Sequence, residues 1–211
     1  PTFIFIDPAT EKIVHLSTSR QDKETFLYTG KSALDPTKTF IYFEEQLKQG
    51  NNNPEFLLDY ALYSASRYNR EEVERLIVKL SGIPEFSLEN ERVWKFFEKS
   101  VNGRENAYFK EMLKNYSKLT PLYGLQTLEA KLFKEFNYCP DEAEFTAAPN
   151  FKGKDFLMMK NKADRLIKEK KYEAGAAVID ELMANSGKLN DELCNYLYYT
   201  GRSALYGEPT D

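Results

Sequence analysis

The sequence predicts a mainly α fold, in which a short β-hairpin and one helix precede a succession of helical hairpins. Three observations carry this. Strong β-formers are concentrated in residues 1–18. From Asp35 onward the apolar residues recur at the 3.6-residue spacing of amphipathic helices. Clusters of Gly, Pro and Asn interrupt that pattern at short intervals. The chain has 211 residues and a mass of 24.5 kDa, enough for one large domain or two small ones.

At the N-terminus, Thr2-Phe3-Ile4-Phe5-Ile6 is a strand with four consecutive apolar residues, the pattern of a strand buried on both faces inside a sheet. Asp7 to Glu11 has turn chemistry, and Lys12 to Ser17 is a second strand carrying Ile13, Val14 and Leu16. A lone hairpin is marginal in water. A doubly buried strand at residue 1 therefore suggests a fragment or a processed product, with an edge that is covered, poorly ordered, or paired with a second copy through residues 2–6. Asp22 is placed to cap the next helix, whose Phe26, Leu27, Gly30 and Leu34 share one face.

Helices are expected at about 37–48, 54–67, 70–80, 88–99, 104–116, 120–136, 155–169, 172–185 and 190–206. The breaks are Gly50 to Pro54, Gly82-Ile83-Pro84, Asn102-Gly103 and Ser186-Gly187, with a longer loop from Asn137 to Gly153 holding Pro140 and Pro149. Asn69-Arg70-Glu71-Glu72-Val73 recurs as Gly103-Arg104-Glu105-Asn106-Ala107, offset by 34, and more loosely as Lys170-Lys171-Tyr172-Glu173-Ala174, offset by 101. The apolar row Val73, Leu76, Ile77, Leu80 corresponds to Phe109, Met112, Leu113, Tyr116 and to Gly175, Val178, Ile179, Leu182. Ala61 and Ala163 supply small residues in first helices. Helical pairs at a period near 34 resemble tetratricopeptide-type repeats, which implies an α-solenoid. The Trp/Leu-Gly/Tyr signature of those repeats is not met as a set.

Pro1-Thr2 before Phe3-Ile4-Phe5-Ile6-Asp7, then Lys12-Ile13-Val14-His15 and a helix, resembles the C-terminal part of the thioredoxin fold. The continuation Gly30-Lys31-Ser32-Ala33-Leu34-Asp35-Pro36 and the later Pro54 to Ala61 resemble bacterial envelope members with a helical extension. This resemblance implies a remnant of an α/β domain over 1–34 and a helical repeat region over 35–211, with a possible break at 137–153. It also implies a periplasmic or cell-envelope setting. Pro1 and Thr2 would be what is left of the cis-proline loop that helps hold substrate cysteines. The sequence departs from the family in lacking any Cys-x-x-C. Thioredoxin-type exchange needs a low-pKa thiolate and a resolving partner. Cys139 and Cys194 match neither role by spacing, so no catalytic residue and no activity is expected of this chain.

Other chemistry is sparse. Lys and Arg number 29 against 33 Asp and Glu, a net charge of -4, which disfavours nucleic acid and anionic membranes as partners. No apolar run approaches the roughly 20 residues of a membrane-spanning helix. One histidine and two cysteines argue against a histidine metal site or a zinc ribbon, and no cofactor is implied. His15 is expected at a surface or strand edge, and the two cysteines as thiols that could pair in an oxidising compartment. Tyr138, Tyr196, Tyr198, Tyr199 and Tyr206 are expected in packing, or else lining a peptide groove. Lys168 to Lys171 suits a solvated helix end. Glu44-Glu45 and Glu71-Glu72 point in diverging directions and form no acid–base pair. The expected role is a non-catalytic helical interaction region with a protein or peptide partner, in a longer thiol-disulfide oxidoreductase. The alternative is a stand-alone helical-repeat scaffold with no redox role.

Overall fold

The computed structural model describes residues 1–18, 21, 23–139, 141–185 and 191–206, with side chains to position 201. Asp22, Pro140, Ser186-Gly187 and the Tyr206 ring lie outside the described residues. The chain divides into two units, Pro1–Leu128 and Glu129–Asp211.

The first unit begins with strands β1 (Thr2–Asp7) and β2 (Lys12–Thr18), which pair antiparallel in a two-stranded sheet. Asp7 closes the turn: its carboxylate accepts from Ala9 N at 2.9 Å and from the Thr10 hydroxyl at 2.8 Å. These bonds hold the Asp7 pKa below its ordinary value. The register sets Phe3 opposite Ser17 and Phe5 opposite His15 on one face, and Ile4 opposite Leu16 on the other, with an irregularity between Phe5 and Ile6. The sequence expectation of a doubly buried strand is not met. Phe3 and Phe5 are half-buried, whereas Ile4 and Ile6 are 54% and 57% exposed.

Helix α1 (Lys23–Leu34) also turns the other way. Its buried residues are Thr29 and Ser32, while Phe26, Leu27 and Leu34 are exposed. The physical reason lies in the buried Ser17 of β2. It is bonded to Gln21, which in turn accepts from the Thr29 hydroxyl at 3.1 Å, so a polar relay occupies that junction.

Helices α2 (Phe40–Lys48), α3 (Pro54–Ser66) and α4 (Arg70–Leu80) follow. A 3₁₀ turn at Pro84–Phe86 leads to α5 (Glu91–Ser100) and α6 (Ala107–Lys114). α3 and α4 form a helical hairpin, and α5 and α6 pack on α3 and α4 respectively. The row expected in α4, Val73, Leu76, Ile77 and Leu80, is its buried face; of the row Phe109, Met112, Leu113, Tyr116, the first two are buried in α6, Leu113 is half-buried and Tyr116 begins the next helix. The structural step between pairs is 37 (54 to 91, 70 to 107), not 34. Its markers are asparagine N-caps at the same step, Asn53 and Asn90, then Asn69 and Asn106, each accepting from backbone N–H groups of the first turn. Gly103 and Arg104, which the sequence pattern aligned with a helix start, belong to the connection before Asn106.

The segment expected as one helix over 120–136 is two, α7 (Tyr116–Tyr123) and α8 (Leu125–Phe136). Gly124 separates them at φ 86°, a conformation that ends an α-helix and favours glycine.

The second unit takes up α8 at Glu129. Inside the expected loop 137–153 lies α9 (Glu142–Ala147), capped by Asp141, whose carboxylate accepts from Ala143 N at 2.8 Å. Phe136, Phe145 and Phe151 pack together beneath it, with ring centroids 4.9 and 5.8 Å from Phe136. α10 (Lys154–Lys168) and α11 (Tyr172–Asn185) form a second hairpin, followed by α12 (Asp191–Tyr206). Leu182, Leu193 and Tyr196 form their core with Phe156, Met159, Ile179 and Leu197. Gly175 lets the hairpin close tightly: a Cβ there would sit 2.9 Å from Ile167 Cγ1 and 3.6 Å from the Ala163 carbonyl. Ala61 and Ala163 are both fully buried, as their small size in first helices suggested.

Candidate interaction surface

The inner face of the β-hairpin docks on the helices through aromatic rings. Tyr63 of α3 is the hub. Its ring centroid lies 5.0 Å from Phe43 of α2 and 5.3 Å from His15 of β2, and His15 lies 5.9 Å from Phe5 of β1. Arg67 covers the outer side, 5.5 Å from the Tyr63 ring and 5.6 Å from Phe40, and donates to the Tyr63 hydroxyl at 3.2 Å. His15 is therefore buried at 3% exposure, not the surface or edge residue expected from sequence. The alternation of β2 turns it inward at the position opposite Phe5, between the rings of Phe5 and Tyr63.

The outer side is unlike this. Ile4, Ile6 and Ile13 of the hairpin are exposed, as are Leu27 and Leu34 of α1, whereas the partly exposed Phe26 sets its ring 5.2 Å from the inward Phe3. β1 has a strand partner on one side only, so its other edge carries unpaired backbone groups among the described residues. Leu34 is the extreme, at 87% exposure. Pro1 and Thr2 are exposed, and Thr2 is the first residue of β1, opposite Thr18.

Between α2 and α3, a cleft of about 430 Å³ is lined by residues including Tyr42, Phe43, Phe56, Asn53 and Asp59. Its size suits a small ligand. Its polar groups, however, are engaged locally: Asn53 caps α3, and Asp59 binds Arg92, which also holds Glu55. That double bridge ties α5 to α3.

In the second unit the sequence's tyrosine cluster separates into two groups. Tyr138 and Tyr196 flank the Lys160 ammonium at 5.2 and 5.7 Å from their ring centroids, and Tyr196 donates to Asp164 at 3.0 Å. Lys160 also reaches the Asn137 carbonyl at 3.0 Å and Asp164 at 3.1 Å. Burial, together with the Asp164 charge, raises the Tyr196 pKa. Tyr198 and Tyr199 are exposed on α12. Lys131 and Glu135 of α8 are a buried pair at 3.1 Å.

Cys139 is buried, its thiol donating towards the Asp141 carbonyl at 3.5 Å, and Cys194 is exposed; neither is in a disulfide. Lys168 to Lys171 is a solvated helix end, with Lys171 paired to Glu169 at 2.8 Å. Among the described residues no group of His, Cys, Asp or Glu is arranged to hold a metal ion, and no helix is long and apolar enough to cross a membrane. No protein-family model matches the chain, and no curated protein or solved structure matches it significantly.

Proposed function

We propose that this chain is a non-catalytic helical protein-interaction region of a thioredoxin-like thiol-disulfide oxidoreductase whose Cys-x-x-C half lies in a longer parent of the cell envelope. The observation that carries this reading is the exposed apolar side of the hairpin and α1. Ile4 and Ile6 alternate with the inward Phe3 and Phe5, so β1 is apolar on both faces while only one is covered. In a thioredoxin-type sheet this strand has a neighbour on each side and helices on both faces. The open edge of β1, the outer face of the hairpin and the exposed side of α1 are the surfaces such a domain would fill. Pro1 and Thr2 then belong to the substrate loop. The stacked helical pairs, with their repeated asparagine caps, supply the solenoid-like arm for a protein or peptide partner.

The second reading, a stand-alone helical scaffold, is favoured by one observation. The hairpin is already anchored to α3 through His15 and Tyr63, and through the Thr18 hydroxyl donating to Ser66 O at 3.2 Å.

The intact mass and upstream reading frame of the natural protein separate the two. A longer protein with Cys-x-x-C before Pro1, reducing a disulfide substrate that the 211-residue chain leaves untouched, supports the oxidoreductase arm. A mature protein that starts at Pro1, or upstream sequence without that motif, leaves the scaffold.

A further inference from the structure

We propose that His15 makes the seating of the β-hairpin on the helices acid-sensitive, so that lowering the pH releases the hairpin while the helical pairs stay folded. Four observations converge on this residue. It is the single histidine of the chain. Its side chain is 3% exposed, and its Nδ1 is buried without a hydrogen-bond partner. Its neighbours are the rings of Phe5 on β1 and Tyr63 on α3. The charge that acts on it is the Arg67 guanidinium at the end of α3.

The remaining groups around the site offer no compensation. The Tyr63 hydroxyl already accepts from Arg67, and Arg67 already lies over the Tyr63 ring. Glu44 of α2 acts on Tyr63, whereas on His15 the acting charge is that of Arg67. The α1 residues buried on this unit, Thr29 and Ser32, are neutral. An imidazolium here would place a new N–H and a positive charge among aromatic carbons and beside another cation.

Burial first, then Arg67, lowers the His15 pKa from 6.5 to about 4. In a released hairpin the imidazole is in water and titrates near its ordinary value. The seated form is thus favoured above pH 6.5. It loses ground progressively as the pH falls towards 4, because only the released form takes up the proton there. Between pH 7 and 5 the seating equilibrium should fall on the order of tenfold.

The test follows hydrogen exchange of hairpin amides in the 211-residue chain, corrected for intrinsic rates, with α4 amides as the internal reference. Imidazole NMR of the lone histidine gives its titration point. Expected is His15 titrating clearly below 6.5, with hairpin protection falling about tenfold relative to α4 between pH 7 and 5. His15→Phe, which keeps a ring in the site, should abolish that fall. Arg67→Gln, by removing the neighbouring charge, should move the titration upward. The proposal is overturned if His15 titrates at or above its ordinary value, if hairpin and α4 lose protection together, or if His15→Phe shows the same pH dependence. The histidine titration needs no variant, so a poorly folding substitution does not leave the question open.

Discussion

The N-terminal hairpin with α1 and the helical pairs that follow it are both rich in apolar residues and dispose of them differently. In α4 the row Val73, Leu76, Ile77, Leu80 is buried to the last residue. In α1 Leu27 and Leu34 are exposed, Phe26 is covered only in part where its ring meets Phe3 at 5.2 Å, and the buried positions are Thr29 and Ser32. A helical pair is covered by the next pair in the chain, α5 on α3 and α6 on α4, so its apolar face is buried by near neighbours in sequence. A two-stranded sheet with one helix cannot cover two faces, and Ile4, Ile6 and Leu34 are left in water.

The comparison breaks if truncations in the two regions cost the same. Leu76→Ala should destabilise the first unit by about 2–5 kcal/mol, the lost transfer energy plus a cavity in a fully packed site. Leu34→Ala should stay within about 0.5 kcal/mol, since the side chain is already in water. Chemical denaturation of both variants measures this. A comparable loss at Leu34 would show that the outer side of α1 is covered in solution, most simply by a second copy.

A second contrast sets one unit against the other. Gly124 and Gly153 have nearly equal φ, 86° and 85°, but a Cβ at Gly124 meets open space while one at Gly153 lies 2.8 Å from a ring carbon of Phe133. Gly124→Ala should cost about 1 kcal/mol for the backbone conformation. Gly153→Ala should cost roughly 2–3 kcal/mol, because the Phe133 ring must also shift. Thermal unfolding followed for each unit reads the difference.

Below these come the caps. Asn53→Ala and Asn90→Ala should each lose about 1 kcal/mol, as each frees two first-turn N–H groups from their acceptor. Equal losses would support the 37-residue step as the true structural period. A loss at only one would make the equivalence accidental.

What was legible in the sequence follows the same division. Helices that pack against a partner close in the chain announced themselves by period and punctuation, and α4, α10 and α11 lie within a residue or two of their expected bounds. Elements whose environment comes from farther away did not. The inward turn of His15 depends on Tyr63, which is 48 positions distant, and no local pattern distinguishes that from an edge histidine. The burial of Lys131 and Glu135 is likewise invisible to a charge-is-wet rule. By contrast α9 carried a readable signal, Asp141 before Glu142 and Glu144, which the flanking prolines outweighed. The likeness of Gly103-Arg104 to Asn69-Arg70 at a step of 34 is chemical and not structural, because the helix starts stand 37 apart. The caps, Asn69 and Asn106, were the residues that mattered.

The two helical hairpins offer the finest test, because they share a turn. After α3 the Tyr68 N–H bonds Ala65 O at 3.0 Å and the Asn69 N–H bonds Ser64 O at 3.0 Å. After α10 the Lys170 N–H bonds Ile167 O at 2.9 Å and the Lys171 N–H bonds Leu166 O at 2.8 Å. Both are Schellman closures, which put one residue in the left-handed conformation, and both use a non-glycine there, with φ 57° at Tyr68 and 62° at Lys170. Gly50 closes α2 by the same pair of bonds with the residue the geometry prefers. Tyr68 aligns with Lys170 at a step of 102, the same step that aligns Val73 with Gly175, so turn and buried row are in phase in the two units. Lys170→Gly should therefore stabilise the second unit by about 0.5–1 kcal/mol, the relief of Cβ strain less the entropy glycine restores to the unfolded chain. Lys170 is exposed, so no packing is lost with the side chain. Tyr68→Gly relieves the same strain but also removes an aromatic ring beside the α3–α4 turn, and its gain should be smaller. If Lys170→Gly destabilises instead, the lysine side chain contributes more than its backbone costs, and the two turns are alike in geometry but not in what maintains them.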